Sequence, residues 1–175
     1  GAEANSYAAG LFKLAADAGK VESFQKEMKD LVVALEDNPE LLATLSSYSL
    51  PTESQLCLAD NVFAKLKNKE IPAFLRLLIL KHEMIHFELI AASFNKLCND
   101  HLGIKEGLVY SASPLTKEEI TKIEESMGKR IGSRTSLEKR VDHNLLGGVK
   151  VFVDDKVFDG TVLGKVERLR SALLK

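Results

Sequence analysis

The sequence predicts an α+β protein in two parts: a bundle of helices over residues 1–104, followed by a small sheet-and-helix domain over 105–175. Three observations carry that reading. Apolar side chains recur at helical spacing through the first hundred residues, they alternate in strand fashion beyond Gly103, and the charge balance changes at the same place. Residues 1–104 hold ten Lys/Arg against fourteen Asp/Glu, and 105–175 hold fourteen against eleven, so an acidic front precedes a basic back.

Each element has its own local reason. Tyr7, Leu11, Leu14, Ala15 and Ala18 mark an opening helix that Gly19 is placed to stop. Val21, Phe24, Met28, Leu31, Val32 and Leu35 make a second amphipathic helix. Asn38-Pro39-Glu40 supplies an N-cap, a proline at the first helical position and an early acid, so a short third helix begins there. Thr52 and Gln55 form an expected capping box ahead of Leu56, Ala59, Val62, Phe63 and Leu66. Pro72 opens a segment from Ala73 to about Leu102 that is apolar on nearly every side around Phe74 to Leu80, which predicts a place in the middle of the bundle.

Past Gly103 the pattern shortens. Gly107 to Ala112 reads as a strand ended by Pro114. Thr116 and Glu119 make a second capping box, before a stripe of Ile120, Ile123, Met127 and Ile131. Leu137, Lys139 and Val141 alternate with polar neighbours as a half-buried strand does, and so do Val149, Val151 and Val153. Asp154-Asp155-Lys156 is turn chemistry leading to a return strand at Val157-Phe158, and Val162, Val166, Leu169 and Leu173 predict one closing amphipathic helix.

Composition narrows the function classes. A net charge of -1 argues against a nucleic-acid binder, and there is neither aromatic–basic interleaving nor a nucleic-acid motif. No apolar run reaches the roughly 20 residues that span a bilayer, and no secretory leader is evident, so a soluble protein is expected. Cys57 and Cys98 sit in apolar helical patterns without metal-ligand spacing and are expected as two buried free thiols.

One motif points to chemistry. His82-Glu83-Met84-Ile85-His86 fits the zincin pattern, in which histidines at i and i+4 of one helix bind zinc and the glutamate acts as general base. It makes a zinc metallopeptidase the alternative reading. The downstream Gly and His of the extended motif are missing, and Glu88, Asp100 and His101 stand at no spacing that singles out a third ligand.

A second set of landmarks is more specific through its order and spacing. Asp142, Leu145, Gly147, Gly148, Val149 and Val151, then Asp159, Gly160, Thr161, Leu163, Gly164, Leu169 and Leu173, resemble the C-terminal signature of ATP synthase delta subunits and the mitochondrial oligomycin-sensitivity-conferring protein. Ser111 to Thr116 resembles that family's strand-to-helix segment, and Tyr7-Ala8, Leu11-Phe12 and Leu14-Ala15 resemble its opening helix, so the likeness covers nearly the whole chain. Gly147-Gly148 at a strand entrance suits a bulge or a close backbone approach that a side chain would block, and Asp159-Gly160-Thr161 suits a hairpin end and helix cap.

The resemblance implies a six-helix N-terminal bundle and a non-catalytic stator subunit without a cofactor. It implies that the bundle holds the N-terminal segments of α subunits at the top of the catalytic head. The C-terminal domain would hold the end of the b stalk, so that the head does not rotate during proton-driven ATP synthesis. Membrane association would come only through the complex, on the cytoplasmic side of a bacterial membrane or the matrix or stroma side in an organelle.

The family's α segment lies along the first and fifth helices, where the matching residues are Tyr7, Ala8, Leu11, Ala15, Phe74, Leu75 and Leu78. Aligned on Arg76 and Phe94, the family also carries Asn-Gly-Arg where this chain has Lys81-His82-Glu83, which implies a turn inside the zinc-like motif. The Lys129-Arg130 and Lys139-Arg140 pairs suit either a solvated face or an acidic stalk helix.

Overall fold

In the computed structural model residues 2–159 are described, and the chain divides into two compact units between Asp100 and His101. The helical unit contains α1 (Ala2–Asp17), α2 (Val21–Asp37), α3 (Pro39–Ser46), α4 (Thr52–Val62), α5 (Glu70–Leu80), a 3₁₀ turn (Met84–His86) and α6 (Phe87–Leu102), whose last residues cross the boundary. The second unit contains β1 (Ile104–Ser111), α7 (Lys117–Ile131), β2 (Arg134–Val141), β3 (Val149–Val153) and β4 (Lys156–Asp159). The architecture is α+β. The predicted closing helix at Val162–Leu173 lies outside the described residues.

Helix ends follow their sequence in some places and overrule it in others. Gly19 ends α1 at φ +66, with the amides of Gly19 and Lys20 returning to the carbonyls of Ala16 and Ala15. Proline does start α3, but Asn38 does not cap it; its side-chain amide donates to the Ala34 carbonyl and closes α2 instead. The capping box expected at Thr52 is absent. Pro51 occupies the cap position, and Gln55 is buried, donating to the carbonyls of Thr44 (2.8 Å) and Ser47 (2.7 Å). A buried amide gains more from two carbonyls at the end of α3 than from one exposed cap.

Other polar staples hold the helices at a distance in sequence. Gln25 on α2 donates to the side-chain oxygens of Asn95 and Asn99 on α6. The carboxylate of Glu27 accepts from the backbone amides of Lys67 and Asn68, just before α5. Around these staples Phe24, Leu45, Ile71, Met84, Phe87, Ile90 and Phe94 fill the apolar interior.

The segment from Ala73 to Leu102 is interrupted at Lys81–Glu83, where the family alignment implied a turn. α5 stops at Leu80, and His82 takes up a left-handed conformation at φ +55. The amide of His82 returns to the Ile79 carbonyl and that of Glu83 to Leu78, which is the hydrogen-bond pattern of a Schellman helix end. Nor is α5 enclosed on all sides, since Leu77 and Leu80 are 41% and 52% exposed.

In the second unit the sheet order is β2-β1-β3-β4, with β1 parallel to β2 across the α7 crossover and the other pairs antiparallel. The Thr116–Glu119 capping box forms in both directions and starts α7. Ile123 and Met127 on α7 pack with Val109, Leu137, Val149, Val151 and Val153 on one face of the sheet. β1 starts three residues earlier than expected. On β2, an edge strand of the sheet, only Thr135 and Leu137 are buried, whereas Lys139 and Val141 are exposed. At Gly107 the partner strand comes close: a Cβ there would collide with the backbone oxygen of Phe152.

Candidate partner-binding surface

The apolar stripe of α1 is Ala4, Ala8, Leu11 and Ala15, residues three or four apart that share one side of the helix. α5 contributes Ile71, Phe74, Leu75, Leu78 and Ile79, and the two helices pack on each other. The sequence-matched contact residues therefore lie mostly inside. Ala8, Ala15, Leu75 and Leu78 are fully buried, Leu11 is 1% exposed and Phe74 is 6% exposed, while Tyr7 is half-buried. In this conformation the six buried side chains hold α1 and α5 together and shape a surface from beneath; they do not themselves line it. The alanines allow close approach between helices of the bundle.

What stands on the surface follows from the phase of each helix. At about 100° per residue, Tyr7 and Leu14 lie roughly 70–90° to one side of the α1 stripe, and Asn5 lies about 90° to the other. Asn5 accepts from Ser93 of α6, so that side of α1 faces α6 and the Tyr7–Leu14 side is turned away from it. On α5, Arg76 is bound to both carboxylate oxygens of Asp60 on α4, each at 2.6 Å, which directs that side toward α4. The opposite side carries Phe74 and Leu77. Leu14 is 48% exposed and Leu77 41%. Each of the two packed helices thus carries an exposed apolar side chain beside its buried stripe, Leu14 on α1 and Leu77 on α5.

Sequence reasoning placed Leu14 on the helix but not on the surface, and it did not single out Leu77. The signal for Leu14 was present: the Ala4–Ala8–Leu11–Ala15 stripe fixes the centre of the buried side and leaves Leu14 at its border. Leu77 gave none, because periodicity is nearly mute inside the run Phe74–Leu80, where every position but Arg76 is apolar.

The zinc-like motif has no common helix face. His82 lies in the left-handed turn with its ring stacked on Tyr48 at 4.8 Å, while His86 ends the 3₁₀ turn and its amide returns to the Glu83 carbonyl. The break removes the i, i+4 geometry on which that chemistry depends. Among the described residues no group of three or more His, Cys, Asp or Glu side chains could hold a metal ion. Cys57 is exposed, contrary to expectation, whereas Cys98 is buried; desolvation pushes its thiol up to about 12, against the opposing pull of Lys29.

The C-terminal landmarks lie at the connection from β2 to β3. The amide of Asp142 donates to the Ser111 carbonyl, and its carboxylate accepts from the amide of Asn144. Leu145 is half-buried, Leu146 is 92% exposed, and Gly147 and Gly148 have φ of +81° and +94°, a region that favours glycine. Asp159 ends β4, and Gly160 and Thr161 lie outside the described residues.

The helical unit thus exposes Leu14 on α1 and Leu77 on α5 beside their buried stripes. The family model "ATP synthase delta (OSCP) subunit" matches residues 4–173. The ATP synthase subunit delta of Geobacillus sp. (strain WCH70) is 30% identical over 172 residues, 98% of this chain and 96% of the relative. That of Bacillus thuringiensis (strain Al Hakam) is 31% identical over 176 residues, 100% and 97% of the two chains. A chain in the cryo-EM structure of the Toxoplasma gondii mitochondrial ATP synthase hexamer shares the fold, with a TM-score of 0.65 at 18% identity over 98% of this chain and 97% of that one. The chain belongs to the ATP synthase delta (OSCP) subunit family.

Proposed function

We propose that this chain is the stator connector of an F-type ATP synthase, tying the top of the catalytic head to the peripheral b stalk so that the head is held while the rotor turns. The observation that carries this reading is the family match over residues 4–173, which takes in both compact units. No bond is made or broken in such a connector; it supplies affinity and stiffness. Residues 1–104 act as the family's six-helix bundle and 105–175 as the stalk-holding domain. The protein sits peripherally on the complex, on the cytoplasmic side in a bacterium; no described helix is long and apolar enough to cross a membrane.

The N-terminal segment of an α subunit lies as an amphipathic helix along α1 and α5. Tyr7, Leu14 and Leu77 meet it directly, and Ala8, Leu11, Ala15, Phe74, Leu75 and Leu78 set the spacing of the helix pair beneath it. The exposure of Leu14 and Leu77 supports this division of labour. On the other unit, Lys139 and Arg140 on the exposed end of β2 suit an acidic stalk helix, while Asp142, Leu145, Gly147, Gly148, Asp159, Gly160 and Thr161 shape the fold. The test is a titration of a peptide from the N-terminus of the α subunit against the full chain and its Leu14→Glu/Leu77→Glu variant. Binding that survives the double substitution unchanged, with the fold intact, contradicts the α1–α5 assignment.

A further inference from the structure

Among the described residues β2 is an edge strand of the sheet, and at eight residues it is twice as long as β4 at the other edge. Its pairing to β1 fixes which of its backbone groups point outward. The amide just past its end, that of Asp142, donates to the Ser111 carbonyl, so the even-numbered residues bond β1. The amides and carbonyls of Thr135, Leu137, Lys139 and Val141 therefore face away from the sheet. Such a row is a template on which another strand can pair. Two of its members are already engaged by side chains. The Leu137 amide donates to the Glu124 carboxylate of α7 at 2.8 Å, and the Lys139 carbonyl accepts from the Arg140 guanidinium at 2.9 Å. The same guanidinium nitrogen stands 2.9 Å from the Glu138 carboxylate, which holds it along the strand. Each of the two bonds has a charged partner, which makes it stronger than the neutral amide–carbonyl bond that an incoming strand would offer.

We infer that Glu124 and Arg140 guard the β2 edge: they keep it from pairing strand to strand with a second copy of the chain and leave it to partners that bind through side chains. Leu137 and Lys139 are the two central positions of the outward row. The other two, Thr135 and Val141, are not neighbours, so with the centre engaged no two successive outward residues are left to start a ladder. Glu124 is half-buried between α7 and β2, and its carboxylate reaches the strand from a helix already packed on it. Arg140 works from the strand itself, by folding its side chain back over the preceding carbonyl. A helix satisfies its backbone within itself, so an acidic stalk helix can meet Lys139 without opening the edge. That last step rests on the connector reading; the guard itself does not.

The test compares the full chain with a Glu124→Ala/Arg140→Ala variant, which removes one charge of each sign, by sedimentation velocity and amide hydrogen exchange at rising concentration. The parent is expected to stay monomeric. The variant shifts toward dimers and larger species, and its Leu137 and Lys139 amides exchange more slowly as it associates. A control pair, Glu125→Ala/Lys129→Ala, removes the same charges from exposed positions of α7 and stays monomeric. Glu124→Gln keeps an acceptor for the Leu137 amide and behaves as the parent. A double variant that stays monomeric with the parent's circular dichroism overturns the inference. So does association that the parent or the control pair shows equally, or that leaves exchange at Leu137 and Lys139 unchanged. Should the double variant lose its fold, Arg140→Ala alone decides, because that side chain is 48% exposed and its loss frees Lys139 beside Val141. A monomer with unchanged exchange there contradicts the guard. Each of these outcomes leaves α-peptide binding at α1 and α5 untouched, so failure here is distinct from failure of the connector reading.

Discussion

His82 holds a conformation that costs a non-glycine residue roughly 1 kcal/mol, offset in part by its stacking on Tyr48. His82→Gly should therefore raise stability by about 0.5–1 kcal/mol, read as a higher urea midpoint at unchanged slope. Leu11 carries the opposite expectation. It is 1% exposed, so Leu11→Glu places a charge in the core and should cost about 3 kcal/mol or more, whereas Leu14→Glu leaves the urea midpoint within about 0.5 kcal/mol of the parent. A thiol probe separates the cysteines: at pH 8 Cys57 reacts in the native chain and Cys98 only after unfolding. With its folded value raised, Cys98 is a neutral thiol in both states below its ordinary 9.0, and it favours the unfolded chain as pH climbs from there toward about 12. Single residues were the least legible scale: a capping motif such as Thr52–Gln55 looks the same whether its glutamine caps its own helix or reaches the end of the one before.

At the scale of elements, sequence logic served best where one rule acted alone. The Thr116–Glu119 box, the glycine stop at Gly19 and the Asp154-Asp155 hairpin all form where local chemistry asks for them. It served worst across Phe74–Leu80, where every position is apolar except Arg76, so the pattern marks no face. The salt bridge from Arg76 to Asp60 marks the side of α5 that meets α4, and the exposure of Leu77 marks an open one. From that open side follows an element-scale expectation. Leu14→Glu and Leu77→Glu should each weaken binding of the N-terminal α peptide by about 1–2 kcal/mol, five- to thirty-fold, at unchanged helical circular dichroism. In the sheet, Gly107→Ala should destabilise the second unit, since the backbone of β3 cannot withdraw from the added methyl without breaking its pairing to β1.

For the whole molecule, the change of character near Gly103 was visible in both periodicity and charge, and a change of architecture lies there, with α6 ending at Leu102 and β1 beginning at Ile104. Family membership was legible in the order and spacing of the Leu145–Gly148 and Asp159–Thr161 landmarks, although Leu145–Gly148 lie in the connection from β2 to β3 and Asp159 ends a strand. On the connector reading, the two proposed partner contacts should differ in their response to salt. Stalk binding through Lys139 and Arg140 should fall steeply between low and physiological ionic strength, and α-segment binding through Leu14 and Leu77 should barely change. The most direct test of the connector claim is a calorimetric titration of the full chain with two peptides, singly and together: one from the N-terminus of the α subunit, the other from the C-terminal end of the b stalk. The account predicts that each binds with a dissociation constant of about 10 µM or tighter, and that neither displaces the other. Failure of both to bind more tightly than about 1 mM, or competition between them for one site, would contradict it.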